Sequence, residues 1–146
     1  MGMVFEIGIS TSSKESMQKV DSVEVVAGKG LVNDRYFKTN NSNTCQLTLI
    51  ESENIDYYNE LSKTLIPYLS FRRNIVTKGI KLNKLVGNEL SIGKVRLKAH
   101  ILCEPCLSLQ KVLKQENFVK KLLHKGGLRC EILRSGKIFV GDKIKF

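Results

Sequence analysis

The residues best placed to do chemistry are Cys103-Glu104-Pro105-Cys106. An apolar run over 99–102 ends at the first cysteine, the proline enforces a turn, and the second cysteine opens a helical pattern. Such junctions present chemistry well, because a strand is rigid and a helix start offers free N–H groups. Thiols at helix starts and beside cations are biased toward thiolate, the reactive and metal-binding form. Cys106 is therefore the thiol around which the rest of the chain is read, a candidate for activation. The spacing also matches half of a zinc site or a dithiol redox motif. Zinc would need a second close ligand pair, but Cys45 and Cys130 are isolated and His100 and His124 do not pair with each other. A thioredoxin-type role would want a βαβ context. Cys45, Cys103 and Cys130 are read as small buried hydrophobes, and His100 as a packed strand residue.

Arg72-Arg73-Asn74 is the second candidate. A planar guanidinium recognises phosphate or carboxylate with two parallel hydrogen bonds, and a nearby amide can read a ring edge. Read as a strand over 71–77, the segment puts Arg72 and Asn74 on one face and Arg73 on the other. The alternative is a solvated arginine pair. Lys29, Asp34 and Arg35 form a third group in a turn-rich segment, either a ligand-facing loop or a surface turn with an internal ion pair. Asn33 within it suits a left-handed backbone position.

A scaffold of 146 residues must position these groups, and that length suits one domain with a real core. The formal net charge of +10 favours anionic partners such as phosphate-bearing cofactors, nucleic acid or an acidic membrane face. Trp is absent and aromatics are only 7%, so a base-stacking platform is poorly supplied and nucleic acid is disfavoured. No apolar run approaches the roughly 18 residues needed to span a bilayer. With no secretory pattern at the start, free thiols in a reducing cytoplasm are expected.

Hydrophobic periodicity supplies the elements. Strands are expected over 3–10, 22–27, 45–50 and 71–77, and short β segments over 82–86, 89–92 and 94–102. Two final strands are expected over 128–133 and 138–146. A helix over 51–64 carries Ile55, Tyr58, Leu61 and Leu65 at near-helical spacing and ends at Pro67. A second runs from Pro105 through Val112, Leu113, Phe118, Val119 and Leu122 to the stop at Gly126-Gly127. Many short strands, glycine turns and two helices predict a mainly β domain built as a closed or nearly closed barrel.

The order of these segments resembles the MOSC domain, the C-terminal domain of eukaryotic molybdenum cofactor sulfurases. The segments are Gly28-Lys29-Gly30-Leu31-Val32-Asn33-Asp34-Arg35-Tyr36, Gln46-Leu47-Thr48-Leu49-Ile50-Glu51, Arg72-Arg73-Asn74-Ile75, Val86-Gly87 through Ile92-Gly93, Pro105-Cys106, and Gly136-Lys137-Ile138-Phe139-Val140-Gly141-Asp142. The resemblance covers nearly the whole chain and implies a single MOSC domain over 1–146, a β-barrel binding a molybdopterin-type cofactor with molybdenum or tungsten. It implies that Cys106, the cysteine after proline, is a metal ligand or carries sulfur. Arg72 and Asn74 match the family's arginine and asparagine and would contact the pterin phosphate and its surroundings. The turn with Lys29, Asp34 and Arg35 looks like the family's glycine-rich turn, with Asn33 where glycine is usual.

The resemblance implies cofactor carriage or sulfur transfer, with reduction of N-hydroxylated compounds as the alternative. The chain has no aminotransferase-like portion and no recognisable pyridoxal phosphate site. Sulfur would then come from a separate cysteine desulfurase, and a molybdoenzyme could be the recipient. A different class, a basic nucleic-acid-binding barrel with no use for Cys106, would show a lysine stripe and steep salt dependence.

Overall fold

The computed structural model describes residues 2–146. Among the described residues eleven strands run in chain order. They are β1 (Gly2–Ile9), β2 (Gln18–Val20), β3 (Ser22–Val26), β4 (Gly30–Leu31), β5 (Leu47–Glu51), β6 (Ile75–Lys78), β7 (Glu89–Ile92), β8 (Val95–Leu102), β9 (Leu128–Arg134), β10 (Gly136–Phe139) and β11 (Lys143–Lys145). Seven of them close into a barrel in the order β1-β6-β5-β9-β8-β7-β11, with β11 returning to β1. Closure leaves no bare edge along that ring. The remaining strands add β2 to the far end of β1 and form a small sheet, β10-β3-β4.

Among the described residues only β5 and β6 pair in parallel, at Leu49↔Ile75 and Ile50↔Val76. Parallel neighbours need a crossover, supplied here by α1 (Ser52–Ser62) and a 3-10 turn, Tyr68–Phe71. Strand alternation then divides the core in two. Leu49 and Ile75 point into the barrel with Val4, Ile7, Leu97, Leu128 and Ile132. Ile50 and Val76 point outward and are covered by Ile55 and Tyr58 of α1, Phe71, Leu109, Phe118 and Leu122. Tyr58 meets Phe118 edge-on at 5.2 Å and Phe71 at 5.9 Å, geometries that aromatic quadrupoles favour.

Several boundaries differ from the periodicity. The helix expected to run unbroken from Pro105 to Leu122 is two, α2 (Leu107–Leu113) and the single turn α3 (Phe118–Lys121). Lys114 and Asn117 both adopt left-handed backbone, at φ 54° and 57°, and turn the chain between them. The bend lets Leu109 and Phe118 both reach the outer core while Val112 stays exposed. In α1, Ile55 and Tyr58 are buried as expected, but Leu61 faces solvent, and so does Leu65, which lies beyond the helix end at Ser62. Residues 82–86 form a 3-10 turn, Leu82–Leu85, rather than a strand. The final strand is two, because Gly141 at φ 94° reverses the chain between β10 and β11. The strand expected over 71–77 begins only at Ile75, which changes the arginine geometry below. No helix among the described residues is long and apolar enough to cross a membrane.

Candidate functional site

One groove of about 1050 Å³ gathers the chemistry. Its walls come from the 13–19 segment, the turn at Arg35 and Tyr36, the entry to β6, the Cys103–Cys106 loop, the first turns of α2, and Arg129 on β9. Cys106, Arg72, Asn74 and Arg35 all line it.

Cys106 is the residue before α2, with extended backbone at φ −120° and ψ 158°. Its thiol is exposed, and Sγ accepts the Leu109 N–H at 3.4 Å, taking the place of an N-cap oxygen. Cys103, by contrast, is buried. Its N–H donates to Gly127 O at 2.7 Å, which continues the β8–β9 pairing past the end of the strands. Cys130 is sealed in the barrel, and burial pushes its thiol up to about 12. Cys45 is half-buried.

Arg72 does not sit in a strand, so the alternating-face argument fails for it. It ends the 3-10 turn in left-handed backbone at φ 62° and ψ 37°, unusual for a bulky residue. Nη1 donates to Glu15 O at 2.9 Å. Nη2 is buried and has no hydrogen-bond partner. Burial, and then the neighbouring Arg35 guanidinium, push the Arg72 pKa down. Two guanidiniums beside each other, of which Arg35 is paired with Asp34 and Arg72 has no carboxylate partner, leave one cation uncompensated with an unsatisfied donor. An anion relieves both defects at once.

Asn74 lines the groove but its side chain is already engaged. Oδ1 accepts from Thr48 N and Thr48 Oγ1, each at 3.2 Å, and Nδ2 donates to Gly8 O at 3.2 Å. It ties β1, β5 and β6 together behind Arg72. Arg35 stacks over the Tyr36 ring at 4.5 Å and lies 3.5 Å from Asp34 Oδ1. Asp34 is buried, accepts from Ser10 N at 3.0 Å, and anchors the turn rather than lining the groove. Lys29 does not line it either. It lies in the turn between β3 and β4, where its backbone is held by Val26 and Asn41. Asn33 is left-handed at φ 69°.

Other contributors carry no motif of their own. Arg129, opposite Thr48 in the register, reaches Thr44 O and lines the groove. Gly126, expected only to stop a helix, is packed so closely that a Cβ would collide with the Cys103 carbonyl. Glu104 lines the groove and holds the turn before β9, through His124 N and Nδ1, both at 2.7 Å. His100 is half-buried and pairs with Glu131 at 2.8 Å.

The model of the MOSC domain matches residues 37–145. The chain belongs to the MOSC domain family. The matched stretch includes Arg72, Asn74 and Cys106, while Lys29, Asp34 and Arg35 precede it. The YuaD protein of Bacillus subtilis has a similar fold, at a TM-score of 0.86 and 18% identity over 99% of this chain and 94% of that one. YiiM from Geobacillus stearothermophilus superposes at 0.78, with 16% identity over 99% and 74% of the two chains. YiiM from Escherichia coli gives 0.71, with 16% identity over 99% and 67%. At these identities the likeness is one of fold. No curated protein matches the chain significantly.

MOSC domains are associated with the molybdenum cofactor, and the groove has features that suit such a group. Arg72 lines the groove and its buried Nη2 lacks a partner, a donor that an anionic end would satisfy if the guanidinium turned toward it, and the exposed Cys106 thiol offers a soft ligand on the same surface. No cluster of three or more His, Cys, Asp or Glu is assembled among the described residues. A metal reached by Cys106 would therefore take most of its ligands from the molecule that carries it.

Proposed function

We propose that this MOSC domain binds a molybdopterin-type cofactor in the groove and serves in cofactor carriage or sulfur transfer. Arg72 and Arg35 hold the phosphate end, and Cys106 meets the metal or carries sulfur in transit. Asn74 keeps the Arg72 segment in place through its bonds to Thr48 and Gly8. When bound, the cofactor would supply a redox-active metal with its own sulfur ligands. The chain itself contributes an anion clamp, one exposed thiol and the groove walls between them. The reading rests above all on the shared groove of an exposed thiol and a buried, partnerless guanidinium nitrogen.

The test is expression in a host that makes the cofactor, followed by metal and released-pterin analysis. Wild type should retain pterin, Arg72→Asn should lose most of it, and Cys106→Ala should keep pterin but lose metal or transferable sulfur. Asparagine is chosen because it tolerates left-handed backbone. Wild type free of pterin, even after exposure to released cofactor, overturns the reading.

A further inference from the structure

Arg73 lies next to the anion clamp in sequence yet spends its side chain elsewhere. Nε donates to Gly126 O at 2.9 Å, Nη1 to Phe71 O at 3.3 Å, and Nη2 to Cys103 O and Glu104 O at 3.2 and 3.4 Å. A guanidinium has five N–H donors in a fixed plane, and four contacts to carbonyls leave little capacity for a ligand. Three of those carbonyls belong to the Cys103–Cys106 loop and the Gly126 turn packed against it, and the fourth to the 3-10 turn that presents Arg72. The same loop is held from its other side by Cys103 N to Gly127 O and by Glu104 to His124.

We propose that Arg73 is a positioning residue that fixes the Cys106 thiol at a set reach from the Arg72 anion clamp. Adjacent residues thereby divide the work. Arg72 meets the anion, while Arg73 carries the thiol loop on the same short piece of backbone. The left-handed turn at Arg72 makes this possible, because it sends two consecutive side chains to different parts of one groove. Planarity matters here, since a lysine ammonium cannot bridge carbonyls on three separate segments in one plane. The assignment rests on the proposed cofactor site for its purpose, but its geometry can be tested with no cofactor present.

The test compares wild type, Arg73→Met and Arg73→Gln without ligand. It follows hydrogen exchange of the Leu109 amide, which reports the Cys106 Sγ cap, and alkylation of Cys106 by iodoacetamide. Arg73→Met should speed Leu109 exchange about tenfold and change the Cys106 alkylation rate, while the barrel amides of Leu97 and Ile132 exchange as in wild type. Should Arg73→Met fail to fold, Arg73→Gln, with two amide donors against four bonds, should show the same changes to a lesser degree. Leu109 exchange and Cys106 alkylation equal to wild type in a folded variant overturn the proposal. With cofactor, Arg73→Met should retain pterin through Arg72 but lose the protection that bound cofactor gives Cys106 against alkylation. Wild type that binds no pterin would sink the cofactor reading while leaving the ligand-free result to stand.

Discussion

Thr48 and Asn74, both lining the groove, are joined by three hydrogen bonds, two of them reciprocal between backbone and side chain. Thr48 Oγ1 accepts the Asn74 N–H at 2.9 Å, and the Thr48 N–H donates to Asn74 Oδ1 at 3.2 Å. This reciprocal pair joins β5 to the segment just before β6, one register step below the Leu49↔Ile75 pairing. It lets the chain leave sheet geometry at Arg72 and Arg73 without unpairing the barrel.

Removing that amide should therefore harm the scaffold before it harms any ligand. Asn74→Ala leaves the Thr48 N–H and the Gly8 carbonyl without their partner in a buried place. We expect a loss of about 2–4 kcal/mol, read by urea denaturation. A variant within about 0.5 kcal/mol of wild type would show that water replaces the amide at no cost.

The four thiols should separate by burial. At mildly alkaline pH, Cys106 should be alkylated fastest and Cys45 next. Cys103 and Cys130 should be protected until the protein unfolds. Peptide mass spectrometry over a time course reads all four, and early labelling of Cys130 would contradict the sealed barrel.

Arg72 should control anion affinity. Inorganic phosphate added to the ligand-free protein should perturb the amides around 72–74 and 35–36 in NMR spectra. Arg72→Asn should weaken that binding about tenfold or more while changing stability by only about 1 kcal/mol. Equal phosphate affinity in the two proteins would remove the guanidinium from the clamp.

Glu51 gives the fold a pH dependence unrelated to the groove. Burial raises its pKa, against the Leu82 N–H that donates to it at 3.1 Å and the nearby Lys81. A raised folded pKa means the native state holds this proton more tightly than the unfolded chain. The stability Glu51 contributes is full below its ordinary value of 4.5 and is lost as pH rises through the higher folded value. Glu51→Gln keeps an acceptor for Leu82 and sheds that dependence. Denaturation across mildly acidic to neutral pH should find the variant gaining on wild type by about 1.4 kcal/mol per unit of upward shift. A constant difference across that range would place the carboxylate in water.

Gly127 should be intolerant for two independent reasons. It holds φ 101°, and a Cβ there would strike the Leu49 carbonyl of the neighbouring strand. Gly127→Ala should cost about 3 kcal/mol or more and displace the Cys103 N–H from its partner, with the thermal midpoint falling accordingly.

The sequence by itself determined the mainly β barrel class, most of its strands, and the burial of Cys103 and Cys130 as small core residues. These are local matters: a period-two pattern follows from the pleat, and a proline before a cysteine marks a junction whatever surrounds it. Order along the chain also sufficed for the family. The pattern could not say that Arg72 leaves the strand, because a left-handed turn at a non-glycine residue is imposed by packing around it. For the same reason Lys29 and Asp34 read as equals of Arg35, although only Arg35 reaches the groove. Arg73 was legible as a charge but not as a clamp, since its partners are backbone carbonyls at 71, 103, 104 and 126, and a carbonyl has no letter in the sequence. Only closure of the barrel brings those atoms within reach of one guanidinium.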